Sequence, residues 1–340
     1  MRLNEIDYLR PILFIQLLFV HAFTIYTVTS WEVPIGIKSV ALYDWIARIS
    51  NSCMLELFTF VSGYVYCFVS ARKEKSIKDL FYSKFQRLII PSVIFSLLYY
   101  ILFIDHKTFN FQFVYEIICG VGHLWYLPML FECFILAYIV KDVKKPCLYL
   151  LGTLIISSFS RCPNIFRISQ VAYYFFFFYL GIFVSRYRNT TVRYISEMRS
   201  KIIFATGLLF VASLVVLLPL NIQLKSYQAE TWINGYFLAA LSRFINIIYS
   251  SIGIAFWYTI SVHIAKRITQ VPLWIKQFNI LSMGVYIFHQ FVLMFLYYHT
   301  SLPVICGSYF LPWVAIVITL PSSILLAYLF RLSKIGKLLI

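Results

Sequence analysis

The chain has 340 residues, of which 61% are hydrophobic, 19% aromatic and only 12% charged. A water-soluble domain cannot cover that much apolar surface, so the composition excludes a soluble enzyme or binding module and defines a polytopic membrane protein. The formal net charge of +16 would suit nucleic acid taken alone, but the basic residues follow a membrane topology, and the bilayer rather than nucleic acid is the expected partner.

Apolar runs long enough to cross a bilayer, or nearly so, fall at 8–29, 46–71, 88–104, 123–140, 147–160, 170–185, 202–220, 245–264, 280–298 and 308–330. The expectation is an all-α, polytopic membrane helix bundle of about ten transmembrane helices, a single domain over 1–340, with the fifth and sixth spans short. No repeat or soluble-domain linker is visible. The first run is too long for a cleavable signal and lacks a small-residue cleavage site. With the N-terminus in the cytoplasm and strict alternation, most of the 29 basic residues fall inside. They are Arg2 and Arg10; Arg72, Lys73, Lys75, Lys78, Lys84 and Arg87; Lys141, Lys144 and Lys145; Arg186, Arg188, Arg193, Arg199 and Lys201; Lys266, Arg267 and Lys276; and Arg331, Lys334 and Lys337. Only Lys38, Arg48, Lys107, Arg161, Arg167, Lys225 and Arg243 fall elsewhere. The asymmetry predicts both termini in the cytoplasm and accounts for the net charge. Seven cysteines without C-x-x-C spacing read as small buried hydrophobes, with no metal framework.

The first span carries Asp7, Arg10 and His21. At 100° per residue the three lie within about 60° of one another around the helix, so one face presents a carboxylate, a guanidinium and an imidazole. Polar groups at membrane depth face the protein interior and mark working sites. His21 is eleven residues beyond Arg10, about 16 Å along the axis, and therefore deep if Arg10 is at the cytoplasmic mouth. In the second span Ser62-Gly63 sits at mid-depth and reads first as helix-packing chemistry, while Glu56 is an intramembrane acid that needs a partner. Lys84 and Arg87, three apart, are expected side by side where the third helix enters, either as snorkelling side chains or, with Arg10, as a cationic mouth for phosphates.

The fourth span opens Gly122-His123-Leu124-Trp125-Tyr126, an aromatic belt with His123 expected to face the outer compartment; Glu132 lies deeper. The ninth span carries Tyr286 and His289 at mid-depth, so His289 and His21 are candidates to share the core. His106, His263 and His299, at span ends, read as ordinary interface residues. The chain has no G-x-S-x-G, Walker loop, H-E-x-x-H or metal-spaced Cys/His cluster.

In order, these pieces resemble the membrane acyltransferase-3 family, whose members O-acetylate bacterial surface polysaccharides. The resemblance is carried by Asp7-x-x-Arg10 with ten residues to His21, Phe58-x-x-x-Ser62-Gly63, Lys84-x-x-Arg87-x-x-x-Pro91, His123-Leu124-Trp125-Tyr126-Leu127, Gly181, and Tyr286-x-x-His289, over nearly the whole chain. Two positions depart from the family pattern. Lys84 stands where an arginine is common, giving up a bidentate phosphate fork, and Glu56 stands where an uncharged residue is expected. No esterase-like domain is appended, which is the stand-alone type.

The resemblance implies a multi-pass protein of the bacterial inner or plasma membrane that uses cytoplasmic acetyl-CoA as acyl donor and a surface or lipid-linked glycan as acceptor. It implies that Arg10, Lys84 and Arg87 hold the coenzyme and that His21 is catalytic, either as general base on a sugar hydroxyl or as a transient acetyl carrier. Asp7, too far from His21 to orient it, is expected to pair with Arg10. Glu132, Tyr286 and His289 are the candidate partners of His21, with Ser62, Gly63, His123 and Trp125 as supporting residues. Two rival readings are a proton-coupled transporter or flippase for lipid-linked sugars, and the same fold with another donor such as succinyl-CoA. Against a carrier stand the cationic mouth in line with His21 and the absence of a two-half repeat.

Overall fold

The computed structural model describes residues 3–27, 31–72, 76–104, 110–161, 165–227, 231–268 and 270–340, without the side chains of Arg199 and Trp232. Arg2, Lys73, Lys75, His106 and Lys107 lie outside the described residues. Among the described residues there is no strand. The helices are α1 (Asn4–Phe23), α2 (Ala41–Asn51), α3 (Met54–Ser70), α4 (Ile77–Lys84), α5 (Ile90–Phe103), α6 (Phe111–Cys119), α7 (Tyr126–Ile139), α8 (Pro146–Ser158), α9 (Ile168–Arg186), α10 (Arg188–Ser226), α11 (Trp232–Arg267), α12 (Leu273–Tyr298), α13 (Leu302–Leu332) and α14 (Lys334–Leu339).

Nine helical stretches among the described residues are long and apolar enough to cross a membrane. The fifth expected span is α8, with 13 residues, about 20 Å at 1.5 Å per residue and short of a hydrocarbon core of about 30 Å. Two expected connections are largely helical. The basic segment 186–201 runs into the 39-residue α10, and most of 221–244 belongs to α10 or to the 36-residue α11. Side chains cap where the sequence supplies them: Asn110 accepts from Phe113 N at 3.0 Å ahead of α6, and Thr231 from Asn234 N at 3.2 Å ahead of α11.

The helices gather into two compact units. The first comprises Met1–Leu9, Ser52–Lys84 and Pro128–Gln270. Its tightest approach is α3 against α9. A Cβ on Gly63 would stand 1.9 Å from the Phe178 carbonyl oxygen, and one on Gly181 would stand 2.1 Å from that of Phe60. Each helix thus occupies the place where the other lacks a side chain, which is how apolar helices associate without a hydrophobic driving force. Phe177 and Phe178 are wholly buried beside this contact.

The same unit buries Glu5, Asp7 and Glu56, and Glu5 and Glu56 each sit in a hydrogen-bonded group that joins helices. Glu5 takes Arg188 through two bonds, Nε to Oε1 at 2.6 Å and Nη2 to Oε2 at 3.1 Å, and the Tyr64 hydroxyl donates to it at 2.9 Å. Tyr258 closes the group, its hydroxyl 3.1 Å from that of Tyr64. Glu56 accepts from the Tyr173 hydroxyl at 3.1 Å and the Asn246 amide at 3.2 Å. Asn246 also bonds Tyr173 and Tyr249, and Asn221 donates to Tyr249 at 3.1 Å. A buried carboxylate without such donors would cost several kcal/mol, on the order of the penalty for an uncompensated charge.

The second unit comprises Arg10–Asn51, Phe85–Leu127 and Val271–Ile340. Its core is aromatic: the Phe23 ring lies 5.0 Å from Tyr43 and 5.2 Å from Trp313, and Tyr26 lies 5.0 Å from Tyr43. The polar ends of these rings are satisfied, Tyr43 donating to the Tyr309 carbonyl at 2.7 Å and accepting from Trp313 Nε1 at 3.0 Å. Tyr297 of α12 donates to the Ala22 carbonyl at 2.7 Å. That bond fixes α12 against the end of α1, one residue from His21.

Gly63→Ala and Gly181→Ala are each expected to destabilise the protein by about 1–3 kcal/mol through overpacking. The drop should be read as a lower Tm of the detergent-solubilised chain. Gly152→Ala, whose Cβ would meet nothing within 4 Å, should leave the Tm unchanged.

Candidate functional site

Three histidines from three elements of the second unit converge. His21 comes from the last turn of α1, His123 from the 3-10 turn Gly122–Trp125 that leads into α7, and His289 from the middle of α12. Ring centroids are 5.0 Å apart for His21 and His289, 5.0 Å for His123 and His289, and 6.5 Å for His21 and His123. His289 is 0% exposed and His123 6%, while His21 is partly buried. Trp31 stacks on the His21 ring with centroids 6.0 Å apart and planes at 24°.

His123 was expected at the outer boundary, and its burial corrects that. The reason is the turn before it. Gly120 and Gly122 hold φ of +83° and +57°, a conformation open to glycine, and a Cβ on Gly120 would stand 2.6 Å from Trp125 N. The chain therefore doubles back and carries His123 inward. α12 then grips the turn on both sides of His289. The Tyr286 hydroxyl donates to the His123 carbonyl, and the Gln290 side chain accepts from the His123 amide at 3.1 Å while donating to the Tyr99 hydroxyl at 3.3 Å.

Two backbone carbonyls settle which ring nitrogens carry hydrogen. His123 Nε2 lies 3.0 Å from the Ile287 oxygen, and His289 Nδ1 lies 2.6 Å from the Tyr286 oxygen. A carbonyl only accepts, so both nitrogens are donors in the neutral ring. In the neutral ring His123 Nδ1 and His289 Nε2 are then lone-pair acceptors, and among the described residues both are buried without a hydrogen-bond partner. The cluster asks for donor hydrogens. Among the described residues no group of three or more His, Cys, Asp or Glu has the arrangement to hold a metal ion.

The other sequence candidates sit as follows. α1 runs unbroken from Asn4 to Phe23, so the rise of about 16 Å from Arg10 to His21 stands. Asp7 is buried and Arg10 partly buried on that helix. Lys84, in the first unit, places its Nζ 3.5 Å from the Phe134 ring centroid. Arg87 is exposed within a π-turn, Phe85–Ile89. A π-turn rather than an α-helix follows Lys84. Pro91 supplies the cause, because its ring cannot accommodate the carbonyl four residues back and an extra residue relieves the clash. The Ser62 hydroxyl donates to the Phe58 carbonyl at 2.9 Å, and Gly63 forms the α3–α9 contact described above. Trp125 lies within the 3-10 turn, with its ring centroid 6.2 Å from that of Tyr126. Glu132 is partly buried on α7 in the first unit.

Sequence reasoning missed Gln290, Tyr99 and Trp31 around the histidines. Gln290 had a usable signal, an amide next to His289 in an otherwise apolar run.

The fold is that of a multi-pass membrane protein with a cluster of three histidines in one of its units. The family model described as "Acyltransferase domain" (Acyl_transf_3) matches residues 3–332. The chain belongs to this acyltransferase-3 family, and that membership decides for a membrane acyltransferase over a carrier. Neither the curated proteins nor the solved structures compared with it give a match.

Tyr286→Phe removes the donor to the His123 carbonyl without changing ring volume. Its expected cost is about 1–2 kcal/mol, visible as a lowered Tm of the purified protein.

Proposed function

We propose that the protein transfers the acetyl group of cytoplasmic acetyl-CoA to a hydroxyl of a cell-surface or lipid-linked glycan, as a multi-pass enzyme of a bacterial inner or plasma membrane. The observation that carries this reading is the position of His21. It stands in a cluster of three imidazoles, eleven residues along an unbroken helix from Arg10, in a chain of the acyltransferase-3 family. The distribution of Lys and Arg supports termini on the cytoplasmic side, which puts Arg10 at the inner end.

On this reading Arg10, Lys84 and Arg87 bind the phosphates of the coenzyme by charge-assisted hydrogen bonds. The pantetheine arm, of the same order of length as the rise of about 16 Å from Arg10 to His21, brings the thioester toward the imidazoles. His21 takes the proton of the acceptor hydroxyl as that oxygen attacks the thioester carbonyl, and the CoA thiolate leaves and is reprotonated. His123, Tyr286 and His289 support His21; Asp7, Ser62, Gly63, Trp125 and Glu132 are assigned to coenzyme-side or acceptor-side support.

Membranes carrying His21→Ala should hold normal amounts of protein but transfer no label from labelled acetyl-CoA; transfer at the wild-type rate would remove His21 from the chemistry. Lys84→Ala and Arg87→Ala should each raise the KM for acetyl-CoA about tenfold, as expected for the loss of one charge-assisted hydrogen bond. A change confined to the acceptor KM would overturn the coenzyme assignment. Labelled succinyl-CoA in place of acetyl-CoA tests the donor, and NMR of the surface polysaccharide with and without the gene identifies the acceptor.

A further inference from the structure

The proton that His21 gains needs a counterpart. A positive imidazolium in a membrane interior is costly unless a neighbour compensates it, and in triad enzymes a carboxylate does this. Here the helices that carry and hold the cluster supply none, and among the other described acids of the unit Glu32, next to Trp31, is exposed and Glu116 accepts from Gln112 at 2.9 Å. α5, α12, α13 and the part of α1 beyond Arg10 contain no Asp or Glu, and Asp7 is fourteen residues from His21, about 21 Å along the helix. Asp44 of the same unit is held by Arg48 at 2.9 Å. What stands beside His21 is His289, wholly buried, with its ring centroid 5.0 Å away. Its Nδ1–H is committed to the Tyr286 carbonyl and its Nε2 lone pair has no partner.

We propose that His289 is the positioning residue of His21, its Nε2 accepting the second N–H of the His21 ring when the acceptor hydroxyl binds and sharing the proton gained in the attack. This rests on the acyl-transfer reading above. The Tyr286 carbonyl holds the Nδ1 proton in place, so His289 cannot present an N–H toward His21 in its neutral form and is fixed as an acceptor. His123, with its ring 5.0 Å from His289 and its own Nδ1 lone pair free, is a second neutral base behind it. The Trp31 face stacked on His21 adds a π-cloud that favours the cationic ring.

The step balances within these groups. The hydroxyl O–H bond breaks and its proton goes to the free nitrogen of His21, whose other N–H is drawn toward His289. The hydroxyl oxygen forms the ester bond to the acetyl carbon, the carbon–sulfur bond breaks, and the cluster returns the proton to the departing thiolate. The rings compete for a single proton, because a second charge 5.0 Å from the first would be repelled.

The test uses membranes containing the full chain, labelled acetyl-CoA and the endogenous acceptor. His289→Leu should lower kcat about 100-fold or more, the range of a lost acid–base contribution, with the KM for acetyl-CoA unchanged. His289→Gln, whose amide oxygen accepts near the Nε2 position, should recover at least about tenfold over the leucine variant. A packing role predicts the reverse order, so leucine equal to or better than glutamine overturns the proposal. Should the leucine variant fail to accumulate, His289→Asn replaces it, since its short amide reaches only the Nδ1 position; asparagine as active as glutamine overturns the proposal too. Wild-type membranes that transfer no acetyl group would instead sink the acyl-transfer reading itself.

Discussion

The site depends on two hydrogen bonds from imidazole to the backbone of α12, His289 Nδ1 to the Tyr286 carbonyl and His123 Nε2 to the Ile287 carbonyl. A helical carbonyl already receives one N–H, but its oxygen has a second lone pair, and here that spare capacity sets two tautomers. Everything else about the cluster follows from them. The remaining nitrogens become bases rather than donors, and they cannot be satisfied by each other. The left-handed glycines at 120 and 122 and the grip of Tyr286 and Gln290 exist, in mechanical terms, to hold His123 where that second bond can form.

The first unit solves a different problem. It carries charged groups into an apolar bundle and gives Glu5 and Glu56 several donors each: Glu5 with Arg188 and Tyr64, Glu56 with Tyr173 and Asn246. Its helices approach through reciprocal glycines, which give close backbone contact without long side chains between them. The second unit uses aromatic packing with each phenol or indole bonded at its polar end. Charge compensation is concentrated in one unit and neutral imidazole chemistry in the other.

Much of this was legible in the sequence. Apolar length located nearly every spanning helix, because a bilayer imposes that length on each. The exception, α8, has the composition of a span but is cut to 13 residues by Pro146 and the turn after Ser158. That His21 and His289 share a core was readable from their places in their spans, and their rings lie 5.0 Å apart. The burial of His123 was not readable, because the turn that buries it depends on positive φ at two glycines rather than on periodicity. The Glu5–Arg188 pair joins residues 183 apart, and Arg188 looked like one more topology charge. The π-turn at Phe85–Ile89, just before Pro91, was not legible either, because apolar periodicity does not distinguish one extra residue in a helical turn.

The two tautomers selected by α12 have an electrical side. A charge fixed inside a membrane feels the transmembrane voltage, at about 2.3 kcal/mol per elementary charge per 100 mV for a full crossing. His123 and His289, in the neutral tautomers that the Ile287 and Tyr286 carbonyls select, carry no such charge. In those tautomers the membrane potential exerts no net force on the two rings between turnovers. Only the proton passing through the cluster during the reaction meets the field, and only for the fraction of the bilayer it traverses.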